Sequence, residues 1–190
     1  MQKKIAVVHG RFQPLHIGHL EDYIMKAIDV SKCDFIYIGI TNADKSHIKS
    51  SKSDLQRSKP QNNPLNYVER LEMIKEALIE RGLKRESFDI IPFPINRLDL
   101  MHSYQIQNAT YYLTIFDQWG IDKQNDLINL YGEENVEVLT KGTSKDKKIS
   151  ASLVRKNIKE DKKWEDLVPN AVAKYLKERN LIDKIKKLQQ

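Results

Sequence analysis

The chain opens on a short apolar run, Ile5-Ala6-Val7-Val8, closed by Gly10, and no other stretch restricts the fold as much. The run has charge before it, a glycine after it and no polar alternation, which is the pattern of a buried strand in a parallel sheet. After His19 the period changes. Leu20, Ile24, Ala27 and Ile28 recur at helical spacing, so one stripe of a helix faces that strand. Between strand and helix lies Gly10-Arg11-Phe12-Gln13-Pro14-Leu15-His16-Ile17-Gly18-His19. In an open α/β sheet this is the carboxyl edge, where ligands bind. Gly18 lets a ligand approach the backbone, and the first amides of the helix add positive potential at the same place. A lone histidine near a helix start is most often a cap. His16 and His19 together, spaced as HxGH behind Arg11, can gather their nitrogens around one polyanion.

The rest of the chain alternates strand and helix patterns. Phe35 to Ile40, Phe88 to Phe93, Tyr111 to Phe116 and Val136 to Leu139 read as further strands. Asn66 followed by Glu69 predicts a capped helix whose face carries Tyr67, Leu71, Ile74 and Leu78. From Pro169 the tail is helical, with Val172, Tyr175 and Leu176 as its apolar face. Thr41 to Asn63, rich in Ser, Lys and Asn, reads as a long loop that closes over a bound nucleotide. The expected fold is α/β: a Rossmann-like open parallel sheet with helices on both faces and further helices at the C-terminus. No repeat, P-loop or GxGxxG is present.

A second segment carries phosphate chemistry. Ile149-Ser150-Ala151-Ser152-Leu153-Val154-Arg155 places the small hydroxyls of Ser150 and Ser152 ahead of a helix beginning near Ser152. Arg155, one turn in, can turn its fork of donors back toward phosphate oxygens. Alone, the segment would be an ordinary Ser cap with a solvated Arg.

Together these segments resemble the HxGH nucleotidyltransferase superfamily, and GRFQPLHIGHL is similar to the nicotinamide mononucleotide adenylyltransferases of archaeal type. Lys45-Ser46-His47, Asn63-Pro64 with Glu69-Arg70, the ISxxxxR pattern of 149–155 and Trp164-Glu165-Asp166-Leu167-Val168-Pro169 resemble that family's later segments in the same order. The resemblance implies transfer of AMP from ATP to nicotinamide mononucleotide, giving NAD and pyrophosphate without a protein nucleophile. It implies a nucleotide site of Gly10, Arg11, Phe12, Gln13, His16, Gly18, His19, Ser150, Ser152 and Arg155. His19 would meet the α-phosphate, His16 and Arg11 the triphosphate and leaving pyrophosphate, and Arg155 with the two serines the β/γ end. Ser46 and His47 are candidate acceptor contacts. The implied cofactor is Mg²⁺, carried mainly by phosphate oxygens and water, since no dense carboxylate cage is visible. One element departs from the resemblance: Pro94 to Tyr104 contains no Trp where the family places an aromatic for the pyridine. Tyr104 and Trp119 are the candidate replacements.

Three other readings remain at this level. One is a related transferase using ATP or CTP with a different phosphorylated acceptor. His-Ile-Gly-His is also a signature of class I aminoacyl-tRNA synthetases, with Lys141-Gly142-Thr143-Ser144-Lys145 as a weak counterpart of their lysine loop, but 190 residues leave little room for tRNA-binding domains. A nucleotide-binding regulatory module without turnover is the third.

At 40% hydrophobic and 31% charged residues, 1–190 reads as a single nucleotidyltransferase domain whose ISxxxxR segment and helical part begin at about 149. No apolar run approaches the roughly 18 residues that span a bilayer, and no signal peptide precedes the first strand, so a cytoplasmic location is expected. Cys33 is the sole cysteine, which excludes an intrachain disulfide and a cysteine metal cluster. The net charge of +6 lies in lysine runs without interleaved aromatics. That favours small polyanionic substrates over nucleic acid or membrane as partners. The oligomeric state is left open, a homo-oligomer included.

Overall fold

The computed structural model describes residues 3–44, 46 and 59–188. His47 and most of the polar stretch expected to close over nucleotide lie outside the described residues.

Five parallel strands form one sheet: β1 (Ile5–Gly10), β2 (Phe35–Ile40), β3 (Phe88–Pro92), β4 (Ala109–Ile115) and β5 (Val136–Lys141), in the order β3-β2-β1-β4-β5. The order reverses at β1. Its neighbours β2 and β4 are reached in opposite directions, which opens a crevice at the carboxyl ends of β1 and β4. β5 runs past Leu139 to Lys141 although its apolar run ends earlier. It is the edge strand, so its last positions need not be apolar.

Helices cover both faces, and the two cores sort by strand parity. Ala6 and Val8 of β1 belong to one cluster with Leu20, Ile24, Met73, Ile74, Val154 and Leu176. Val7 belongs to the other, with Phe93, Met101, Tyr111 and Leu127. The first cluster gathers the helical run after β1, then α3 (Tyr67–Glu80), α6 (Ala151–Lys159), α7 (Asn170–Glu178) and α8 (Leu181–Leu188). The second lies under α4 (Leu98–Met101) and α5 (Gln118–Tyr131).

The run after β1 consists of α1 (Ile17–His19), a π-helical stretch Leu20–Met25 and α2 (Lys26–Ser31) in unbroken succession. It ends at Lys32 in the left-handed conformation (φ 48°). The α3 capping box forms as its sequence predicts, Asn66 accepting from the Glu69 N–H and Glu69 accepting from the Asn66 N–H. At α6 the helix begins one residue before Ser152. Ser150 is the cap, its hydroxyl accepting from the Leu153 N–H at 3.2 Å. A Ser at the N-cap satisfies an amide that Ser152, already inside the first turn, cannot reach in the same way.

Between β1 and α1 the chain runs buried and irregular, so its carbonyls need partners from elsewhere. Arg70 of α3, only 1% exposed, supplies one and ties the loop to its neighbours: its guanidinium donates to the carbonyl of Arg11 and, outside that segment, to those of Thr41, Asn42 and Asn66. Burial lowers its pKa to about 10, which leaves it charged at neutral pH. Arg70→Met keeps the apolar stem and strands these carbonyls. Its unfolding free energy is expected to fall by about 3 kcal/mol or more in urea titration.

Candidate active site

A cavity of about 800 Å³ opens at the carboxyl ends of β1 and β4. Of the residues singled out by sequence, Gly10, Arg11, Phe12, Gln13, His16, Gly18, His19, Trp119, Ser150 and Ser152 line it. Tyr104, Arg155 and Ser46 are not among its lining residues. Ser46 is exposed, its backbone N–H bound to Asp44 Oδ1 at 2.7 Å.

The backbone around the two histidines follows from what lies beneath them. Phe12 is fully buried with φ 49°, and its ring fills the space beside Gly10, where a Cβ would stand 2.9 Å from the ring. Gln13 turns its amide to the main chain of Leu65, donating to the carbonyl at 2.8 Å and accepting from the N–H at 2.9 Å. Arg155, 2% exposed, donates to the Gln13 carbonyl at 2.7 Å, to Ser152 Oγ at 3.2 Å and to Asn62 Oδ1. Its guanidinium therefore ties α6 and Asn62 to the β1–α1 loop.

His16 caps α1. Its Nδ1 accepts the His19 N–H at 3.2 Å, so in the neutral ring the hydrogen sits on Nε2, a donor. The His19 ring stacks on it with centroids 3.6 Å apart, and Phe12 meets His19 edge-on at 5.2 Å. His19 Nδ1 is buried without a partner. Desolvation holds His16 neutral, its pKa lowered to about 3, and Lys147 adds to the effect. Burial also pushes His19 far below the usual imidazole value, helped by His16, Lys147 and Arg11. Arriving phosphate charge opposes both causes. Lys141, Lys147, Lys148 and Arg11 ring the same space, while Lys26 is spent on the carbonyl of Leu139 and the Thr140 hydroxyl, both at 2.9 Å.

A third histidine escaped the sequence reading. His9 is 7% exposed at the carboxyl end of β1, lines the cavity, and has no hydrogen-bond partner on either ring nitrogen. The available signal was a polar residue inside an apolar strand, directly before Gly10.

Among the described residues no group of three or more His, Cys, Asp and Glu side chains is placed to hold a metal ion. Two carboxylates of the cavity wall are engaged in capping: Asp117 accepts from the Gly120 N–H, and Asp146 from the N–H and hydroxyl of Thr143. The arrangement instead offers neutral imidazole donors and lysine and arginine charge to an extended polyanion.

Residues 7–157 match the family described as Cytidylyltransferase-like. The chain belongs to the cytidylyltransferase-like family. Relatives of this nucleotidyltransferase family extend over most of the chain. It is 38% identical over 181 residues, 95% of either chain, to the phosphonoformate cytidylyltransferase of Streptomyces viridochromogenes. It is 32% identical over 182 residues to the nicotinamide-nucleotide adenylyltransferase of Thermococcus onnurineus, covering 94% of this chain and 85% of that one. A crystal structure of a bifunctional NMN adenylyltransferase/ADP ribose pyrophosphatase from Francisella tularensis shares the fold, with a TM-score of 0.61 at 18% identity. That match covers 98% of this chain, which spans about half (53%) of the bifunctional protein.

The dry histidines make stability depend on pH. In the unfolded chain His9 titrates near 6.5; in the folded one desolvation, with the Lys123 charge, lowers it to about 4. Below pH 6.5 the unfolded state therefore holds the extra proton, and this contribution to stability is lost as pH falls from 6.5 toward 4. Between pH 7 and 5 it amounts to about 2 kcal/mol. His9→Phe is expected to lose correspondingly less stability over that interval, read as denaturant midpoints of both proteins at the two pH values.

Proposed function

We propose that the protein transfers a nucleotidyl group from a nucleoside triphosphate, CTP in the favoured reading, to a small acid bearing a phosphonate or phosphate. An acceptor oxygen attacks the α-phosphorus in line. The bond from that phosphorus to the β-bridging oxygen breaks, and pyrophosphate leaves with the electron pair. The Nε2 hydrogen of His16 and the His19 ring stand ready to donate to non-bridging and leaving oxygens as charge redistributes, with Arg11 and Lys147 balancing the pyrophosphate. No protein nucleophile is used; half-buried Cys33 is not among the cavity residues. Mg²⁺ enters with the triphosphate as part of the substrate. Ser150 and Ser152, which line the cavity, would meet the far phosphates, and Arg155 would act by holding Gln13 and Ser152 in place.

The observation that carries the choice of acceptor is the segment after β3. Ile95 and Met101 are fully buried in the core, and Tyr104 lies away from the cavity wall, so this segment offers the cavity no aromatic platform for a pyridine. A compact acid such as the phosphonoformate of the Streptomyces relative needs none. One observation keeps a second reading, AMP transfer from ATP to nicotinamide mononucleotide: half-buried Trp119 does line the cavity and can stack on a ring.

The protein, CTP or ATP, Mg²⁺ and either phosphonoformate or nicotinamide mononucleotide separate the two by pyrophosphate release and product mass. The favoured reading expects a CMP adduct of the small acid. NAD from ATP, with Trp119→Ala weakening the mononucleotide by about 1–3 kcal/mol, would replace it by the second. Under either reading His19→Ala should fold normally and lose about 10² or more in kcat, since the ring contributes chiefly where charge develops. Near-normal turnover by that variant would remove the histidine from the chemistry.

A further inference from the structure

We propose that His9 is the residue that selects the acceptor, binding a carboxylate or similarly compact acidic group that the acceptor carries beside its phosphorus acid. The inference rests on the proposed transfer reaction.

His9 stands on the same face of β1 as Val7, the face covered by α4 and α5, where the end of a parallel strand is normally apolar. Its ring lies flat against Phe93, centroids 4.9 Å apart and planes at 11°. The stack is built into the sheet. Gly39, the β2 partner of His9, has no side chain where Phe93 lies; a Cβ there would be 2.7 Å from Phe93 Cβ. The His9 N–H donates to the Tyr23 hydroxyl at 3.0 Å, which donates onward to the Tyr112 carbonyl at 2.7 Å, so the backbone is held as well. An imidazole is thus fixed in position, nine-tenths buried, with both nitrogens dry.

A buried polar group without a partner destabilises the free protein, and Phe or Val would fill this place at lower cost. Breaches of a local rule concentrate at functional sites. Both ring nitrogens are covered in the free protein, so the partner assigned to them is a ligand whose entry into the cavity that His9 lines uncovers one of them. Of the charged groups nearby, Lys123 of α5 is cationic and already serves Asp126 at 2.7 Å and the Ile95 carbonyl at 3.3 Å. An anion against His9 therefore meets an imidazole donor with the Lys123 charge, shared with Asp126, behind it. His16 and His19 lie beyond Gly10 on the loop and helix that follow β1. A two-headed acid can accordingly turn its phosphorus end toward them and its other acid toward His9.

The test compares phosphonoformate with methylphosphonate, which lacks the carboxylate, as acceptors of CMP from CTP in wild type, His9→Phe and His9→Gln. His9→Phe preserves the stack on Phe93 and should raise KM for phosphonoformate on the order of 10- to 100-fold, leaving KM for CTP and for methylphosphonate unchanged. His9→Gln, which keeps a donor, should recover part of the loss. A merely structural His9 would change all three KM values together or none, and either result overturns the proposal. If the wild type transfers nothing to phosphonoformate, the reaction reading fails separately. His9 is then judged by its imidazole NMR signals in the CTP-loaded protein: a shift with phosphonoformate and not with methylphosphonate supports the site, and equal spectra overturn it.

Discussion

Everything at the carboxyl edge depends on how the β1–α1 loop satisfies its own backbone. Residues 11–16 are irregular, yet Phe12 to His16 are buried, so their carbonyls and amides cannot rely on water. Long side chains from distant parts of the sequence take water's place. Arg70 reaches the Arg11 carbonyl and Arg155 the Gln13 carbonyl, while the Gln13 amide pairs with the main chain of Leu65. Arginine suits the task because its planar fork serves several carbonyls at once and stays protonated even when burial lowers its pKa to about 10. Removing Arg70 strands the buried carbonyls of Thr41 and Asn42, and removing Arg155 strands that of Gln13. The placement of His16 and His19 is inherited from this scaffold.

The same burial decides the charge state of the site. Two imidazolium rings at a centroid separation of 3.6 Å would repel strongly in a medium that already disfavours charge, so the free pair is neutral. A neutral pair beside Arg11 and Lys147 can accept a polyanion without first losing ion pairs of its own. Approaching phosphates then reverse the electrostatic balance and favour protonation. The response is greatest where negative charge accumulates, which is the requirement for stabilising a leaving pyrophosphate in the proposed reaction.

The fold was legible because its signals are local: the Ile5 to Val8 run, the Asn66 and Glu69 capping box, and the change of period after His19. The HxGH pair was legible for the same reason. Long-range partnerships were not. Nothing in ISASLVR states that Arg155 turns to the Gln13 carbonyl rather than into the cavity, since that depends on which loop packs above α6. Gln13 similarly reads as a polar contact for a ligand, whereas its amide completes a pair with Leu65, 52 positions away in sequence. His9 was missed because a single polar residue at the end of a strand resembles the start of a turn. Its meaning comes from Phe93 and Gly39, which lie close only once the sheet has formed.

Strand parity divides the proposed chemistry between the two faces of the sheet. Val8 points into the core beneath the helical run that starts at the HxGH pair; His9, one residue on, joins the Val7 face under α4 and α5. Reorganising the first face would disturb the scaffold that holds His16 and His19, because α3 and α6 supply Arg70 and Arg155 from that side. The second face presents His9 and Trp119 to the cavity at its carboxyl end. In the proposed reaction, groups on this side would meet the acceptor, while the loop that positions the transferring phosphate is held from the other. One fold can therefore keep nucleotidyl transfer constant while the acceptor changes, as the differing names of its relatives illustrate. In the proposed reading, this side places the His9 imidazole where a compact acid would meet it.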